Sequence, residues 1–224
     1  MFAVGFRSND DIVQSHQATG VDDQLDDWEL VLRESHHRMK NTLTLLGASV
    51  RRDFMRIKPT DVSIAVDRFE RRVVAFGRLY QLLSDDCDLN AVALDSFFEG
   101  LCGALAEAIL EPAGIRCEAA IESGTLAASQ RHRLALMVTE LVTNAAKHAF
   151  PGRNGGLIRI EIVNRDGALC CTVADNGTGA IGPLQGTGGR ILERLARSIR
   201  ARVHGEAGCG GTTVTILTPT AAAG

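Results

Sequence analysis

Hydrophobic and polar residues along this chain follow two different periods, and the change from one to the other divides it. From Leu25, buriable side chains recur at steps of three and four through Trp28, Leu32, His36, Met39, Leu43, Leu46 and Val50, which is the seam of an amphipathic helix. The pattern predicts a first helix from about Asp22 to Arg56. Lys58-Pro59 breaks it, and Thr60 or Asp61 can cap a second helix, whose stripe is Val62, Ala65, Phe69, Val73, Phe76, Tyr80 and Leu83. Two long antiparallel helices joined by a short turn result. Such a hairpin cannot hide both stripes alone, and dimerisation into a four-helix bundle is the economical solution.

After the polar stretch Ser84 to Asp88 the pattern becomes mixed. Ala93 to Leu110 reads as a helix, Ile115 to Ile121 as a short strand, and Ser129 to Ala149 as a helix with Ser129 as its N-cap. Leu157 to Asn164 alternates Ile158, Ile160 and Ile162 with Arg159 and Glu161, the period of a half-buried strand. Asp166-Gly167 turns the chain into Ala168 to Ala174, Gly186 to Arg202 reads as a further helix, and Gly211 to Thr218 as a last strand. The expected fold class is therefore α+β: the helical hairpin, then an α/β sandwich with helices on one face of a largely antiparallel sheet. Three parts are expected: a mobile acidic leader over 1–24, the hairpin over 25–84 and the mixed domain over 88–219.

Composition narrows the class. The chain has 224 residues, 45% of them hydrophobic, enough for a proper core. The early residues lack the apolar run of a signal peptide, and no stretch approaches the ~20 apolar residues that cross a bilayer, so a soluble, cytoplasmic protein without membrane contact is expected. Six cysteines without C-x-x-C spacing read as reduced thiols rather than a zinc site. The net charge of −3 is unevenly spread. Residues 1–27 carry one Arg against six Asp, while residues 28–83 carry eleven Lys or Arg against six acids. A basic helical block between acidic flanks suits an acidic or phosphorylated partner, though a solvated helix surface has the same composition. With no basic tail and no interleaved aromatics, the composition disfavours nucleic acid, and no nucleic-acid partner is expected.

The first candidate chemistry lies in Glu34 to Leu46, ESHHRMKNTLTLL. The seam takes His36 inward. His37, about 100° further round the helix, joins the face with Glu34 at i−3 and Asn41 at i+4. Glu34 can accept a hydrogen bond from one ring nitrogen and leave the other lone pair free to attack an electrophile. Alone, His37 also reads as an ordinary polar surface residue.

Three later stretches carry chemistry. In LALMVTELVTNAAKHAF, Glu140, Asn144 and Lys147 share one polar stripe, with His148 beside them. Oxygens suit a hard cation and the ammonium suits phosphate, so the stripe fits a magnesium-bound polyphosphate, although a salt-bridged exposed face looks the same in sequence. Asp175-Asn176-Gly177-Thr178-Gly179 ends a strand, where Gly177 and Gly179 allow tight turns and Asp175 can accept a hydrogen bond from an amino group. Gly186-Thr187-Gly188-Gly189 opens a helix whose free N–H groups can bind phosphate. Each is weak by itself.

Taken together, in this order and spacing, these motifs resemble those of a known family. The second domain is similar to the Bergerat-type ATPase fold of histidine kinases, gyrase, Hsp90 and MutL: ELVTNAAKHAF looks like the N box, DNGTG the first glycine box and GTGG the second. The first domain resembles the dimerisation and phosphoacceptor hairpin of sensor histidine kinases with a His-Arg-x-x-Asn acceptor box, here His37, Arg38 and Asn41, a group related to the HWE kinases. The resemblance covers about Trp28 to Pro219. It implies ATP and Mg2+ as cofactors, His37 as phosphoacceptor with Glu34 and Asn41, and Asn144 holding magnesium with Glu140. It implies Asp175 reading adenine, with Lys147, His148, Gly177, Gly179, Gly186, Thr187 and Gly188 around the phosphates. The phosphoryl group would pass to an aspartate of a response-regulator receiver domain, with a homodimer as the working unit and a separate sensor protein as a source of input. Only Ala180 to Gln185 separate the two glycine boxes, so the lid is short. Two other functions compete: a histidine phosphotransferase relay with an ATPase-like docking domain, and a nucleotide-binding module that sequesters a partner. Retention of the N box and both glycine boxes speaks against the relay, and the acceptor box against the sequestering module.

Overall fold

A computed structural model describes residue 47 and residues 62–84, 93–153, 155–165, 167–179 and 186–220. Apart from Gly47, which is helical, the first predicted helix lies outside the described residues, as do the acceptor box with Glu34, His37 and Asn41 and the lid residues 180–185.

Helix α1 runs over Val62–Leu82 and α2 over Leu94–Leu105. The helix expected over Ala93 to Leu110 changes pitch on the way. It loosens into a π turn at Ala106–Leu110, tightens into a 3-10 turn at Glu111–Ala113 around Pro112, and stops at Gly114. Strand β1, Ile115–Ile121, follows, then α3, Ala128–His148, β2, Gly156–Arg165, and β3, Ala168–Asp175. The chain closes with α4, Gly186–Ser198, and the hairpin of β4, Arg202–Gly208, and β5, Gly211–Pro219.

The five strands lie in the order β1-β2-β3-β5-β4. Only β1 and β2 are parallel, with Ile115 opposite Gly156, and every other pair is antiparallel. Alternation decides which face is covered. Ile158, Ile160 and Ile162 point to the same side as Leu169, Cys171 and Val173 and as Val214 and Ile216, and all are buried. Onto this face pack Phe97, Phe98 and Leu101 of α2, Leu134, Met137 and Val138 of α3, and Leu192 and Leu195 of α4, as one cluster. Phe97 and Phe98 meet edge to face at 5.2 Å. The opposite face carries Glu118 and Arg159, paired at 2.8 Å and exposed.

Three expectations are corrected. Strand β4 is absent from the expected elements: Gly205 and Gly208 dilute its alternation, and β-sheet pairing with β5 supplies what its composition lacks. Ser129 is not the N-cap, because α3 starts one residue earlier and the Gln130 side-chain carbonyl accepts from the Ala127 N–H at 3.3 Å. The apolar stripe of α1 is also offset. Ala75 and Leu79 of α1 are buried in the core and Phe76 and Leu82 pack against it, whereas Phe69, Val73 and Tyr80 of the predicted stripe are exposed.

Candidate functional site

The second half of α3 carries the polar stripe from the interior to the surface. Thr139 and Thr143 are buried, and each hydroxyl donates back to a carbonyl four residues earlier, Ala135 at 2.8 Å and Thr139 at 2.6 Å. Glu140 is only 7% exposed, Asn144 is half-buried, and Lys147 and His148 are exposed at the C-terminal end. That gradient removes the solvated-face reading of the stripe, since an exposed salt-bridged face would not bury its carboxylate. The Asn144 amide donates from Nδ2 to Glu140 Oε1 at 3.1 Å. Its own Oδ1 is thereby turned away from the carboxylate.

The first turn of α4 lies against this pair. A Cβ added at Gly188 would come within 2.6 Å of Glu140 Oε1 and 3.0 Å of Asn144 Nδ2. The first N–H groups of a helix have no intrahelical partner, so the glycine-rich start of α4 and the Glu140–Asn144 pair form one polar cradle. Gly186 and Thr187 stand in the same turn.

The loop after β3 is tied down on three sides. Asp175 Oδ1 accepts from the N–H of Gly177 at 2.8 Å and of Thr212 at 3.3 Å. Thr178 N–H donates to the Ala149 carbonyl at 2.9 Å, just past the end of α3. A Cβ at Gly177 would strike Ala149, and one at Gly179 would strike the Gly208 carbonyl of the β4–β5 hairpin. Gly211, at φ 117°, presses on the Asp175 carbonyl in the same way. Asp175 therefore keeps one oxygen committed to the loop and the other, Oδ2, available at the end of the strand.

The structure thus brings together Glu140, Asn144 and Gly188 in one contact, and Asp175, Gly177 and Gly179 in a second, joined through Ala149 at the end of α3. Lys147 and His148 stand at the same helix end. Sequence reasoning missed the β4–β5 turn as the outer wall. The signal was available in Gly208, Gly210 and Gly211, a glycine density that a plain hairpin does not need.

The donor set fits a hard cation with a polyphosphate: a buried carboxylate beside an amide oxygen, and helix N–H groups across a gap that only glycine leaves open. Among the described residues there is no cluster of three or more His, Cys, Asp or Glu that could hold a metal without a ligand's help. No described helix is long and apolar enough to cross a membrane.

Comparison with known proteins agrees with this geometry. Residues 34–109 match a model described as histidine kinase, and residues 104–216 one described as histidine kinase-like ATPase domain. The chain is 30% identical over 199 residues to blue-light-activated histidine kinase 2 of Erythrobacter litoralis, covering 84% of this chain and 56% of the relative. It is 27% identical over 199 residues to the sensor histidine kinase PdtaS of Mycolicibacterium smegmatis, covering 85% of this chain and 40% of that protein. The chain thus spans about half the length of these curated relatives. The solved histidine kinase domain of a blue-light-activated kinase from Erythrobacter litoralis superposes with a TM-score of 0.54 at 25% identity, over 79% of this chain and 95% of that one. The mixed sheet, the helices on its one face and the two matched segments place the chain in one family: it belongs to the histidine kinases, with a histidine kinase-like ATPase domain as its C-terminal part.

Proposed function

We propose that this chain is an ATP-dependent protein histidine kinase of a two-component system, acting in the cytoplasm. It transfers the γ-phosphoryl group to His37 and then to an aspartate of a response-regulator receiver domain. The observation that carries the reading is the contact of Gly188 with Glu140 and Asn144, which makes the second glycine box and the N box one site. Residues 88–219 supply that site and residues 25–84 the acceptor.

Asp175, through its free Oδ2, accepts from the adenine amino group. Glu140 and Asn144 hold Mg2+, and Lys147, His148, Thr187 and the start of α4 face the phosphates. Bound magnesium supplies neutralisation of phosphate charge. The protein's part is positioning: phosphoryl transfer needs an in-line nucleophile and little covalent chemistry from its surroundings. Glu34 orients the His37 ring so that one nitrogen presents a lone pair, and Asn41 flanks it. The working unit is a homodimer, because the apolar Phe69, Val73 and Tyr80 face of α1 is exposed in the single chain.

The test is incubation with γ-labelled ATP and Mg2+ of the wild type and the His37→Ala and Asn144→Ala variants. Acid-labile label is expected on the wild type and on neither variant. Label retained in His37→Ala and lost in His36→Ala would move the acceptor to the neighbouring ring. No label, with phosphate accepted from a phosphorylated receiver, would replace the autokinase with a relay. Nucleotide binding without phosphohistidine would point to a sequestering module.

A further inference from the structure

The β2–β3 ladder ends in an unusual way. Ile158 pairs with Asp175, so the next antiparallel pair is Leu157 with Asn176. In the hydrogen-bonded kind of antiparallel pair, which alternates with a non-bonded kind, each residue gives its N–H to the other's carbonyl. Asn176 N–H does donate to the Leu157 carbonyl, at 3.1 Å. The return bond is different: Leu157 N–H donates to Asn176 Oδ1, at 2.8 Å. The side chain stands in for the main-chain carbonyl, which is released and accepts instead from Arg153 Nη1 at 3.1 Å.

This substitution has a geometric result. The strand stays pinned up to the residue after Asp175, yet the backbone is free to turn at once into Gly177, whose N–H reaches back to Asp175 Oδ1 at 2.8 Å. Without the Oδ1 acceptor, Leu157 N–H is left to solvent and the ladder loses the bond that fixes Asn176, so the turn that orients Asp175 slackens even where Arg153 still holds the Asn176 carbonyl. We infer that Asn176 and Arg153 are positioning residues for base recognition: together they set the direction of the Asp175 carboxylate and thereby the discrimination of an adenine amino group. The inference rests on the nucleotide-binding reading above. It requires of Asn176 only an acceptor oxygen, not its amide donors.

The full chain and its Asn176→Ala, Asn176→Asp and Arg153→Ala variants are titrated with ATP and with ITP, which carries a carbonyl where ATP carries the amino group. Amide hydrogen exchange at Leu157 is followed without nucleotide. Asn176→Ala is expected to weaken ATP binding about tenfold and leave ITP unchanged, with the Leu157 N–H losing protection. Asn176→Asp, which keeps the acceptor, restores both, and Arg153→Ala lies between. A purely structural role would weaken both nucleotides alike and leave their ratio unmoved. An unchanged ATP/ITP ratio in Asn176→Ala overturns the inference, as does an Asp variant as poor as the Ala variant, which would mean that the amide touches the ligand. A wild type that binds neither nucleotide removes the nucleotide reading and the recognition role with it, while Leu157 exchange still reports on the clamp itself.

Discussion

Two glycines of the site have different tasks, and their alanine variants separate them. At Gly188 the added Cβ would meet the ends of two side chains, Glu140 and Asn144, so the backbone stays and the pair is pushed aside. Gly188→Ala is expected to weaken nucleotide binding by more than about tenfold with little change in melting temperature. At Gly211 the Cβ would strike the main-chain carbonyl of Asp175, and φ 117° is closed to side chains. Gly211→Ala should therefore lose roughly 1–3 kcal/mol or more of stability, read as a lower denaturation midpoint. Thiols give a second residue-scale test. Burial pushes Cys102 up to about 12, and pushes Cys171 up in the same direction, while Cys209 is exposed at the β4–β5 turn. Alkylation at pH 8, mapped by peptide mass spectrometry, is expected at Cys209 and not at Cys102 or Cys171. Because the folded Cys102 value lies above its ordinary value of 9.0, its contribution to stability is complete below pH 9.0 and is lost as pH rises towards 12. The denaturation midpoint should fall from pH 9.0 upward, and less steeply in Cys102→Ala. The residues of the site were legible to different degrees for a physical reason. Glu140 and Asn144 stand at helical spacing and Asp175 ends an alternating strand, so local periodicity marks them. Gly188 meeting Glu140, and Gly211 meeting Asp175, are approaches between segments far apart in the chain, which no local pattern encodes.

Elements announce themselves when their composition and their neighbours agree. Strand β1 could be bounded at Ile115 and Ile121 because Gly114 and the polar Glu122-Ser123 enclose it. Strand β2 is legible through its three buried isoleucines. The elements that were missed or misjudged owe their form to partners. β4 is held by β5 along seven residue pairs, and the π turn of Ala106–Leu110 keeps Ala108, Ile109 and Leu110 buried where α1 and α3 crowd the chain. The start of α3 makes the same point. Gln130 bonds Ala127 N–H through Oε1 and, through Nε2 at 3.2 Å, the Pro219 carbonyl at the end of β5. It joins a helix start to a strand end 89 residues away. Gln130→Ala removes both bonds and should cost about 1 kcal/mol, a fall of roughly 2–4 °C in a thermal melt, with nucleotide binding unchanged.

At the scale of the whole molecule, α1 has two apolar faces with different destinations. Ala75 and Leu79 are sealed into the core that α2 and the sheet share, so the second helix of the expected hairpin is fastened to the ATPase domain by side chains rather than by the connecting segment alone. Arg78 adds an exposed 3.6 Å pair with Glu107 on the π turn, which contributes little by itself. The other face keeps Val66, Phe69, Val73 and Tyr80 at 40–59% exposure, at steps of three, four and seven. A contiguous apolar stripe of this kind is costly in water and is what a bundle partner covers. The two faces predict opposite outcomes for substitutions of similar size. Leu79→Ala opens a cavity in the core and should cost about 2–5 kcal/mol without altering association. Phe69→Glu with Val73→Glu leaves the core untouched and puts charge in the seam, where an unpaired carboxylate cannot be buried cheaply. Sedimentation equilibrium should then show the double variant as a monomer under conditions where the wild type is a dimer, with an unchanged melt of the ATPase core. A double variant that associates like the wild type would assign the exposed stripe to another segment of the same chain, and the kinase would then work without a four-helix bundle built from two copies.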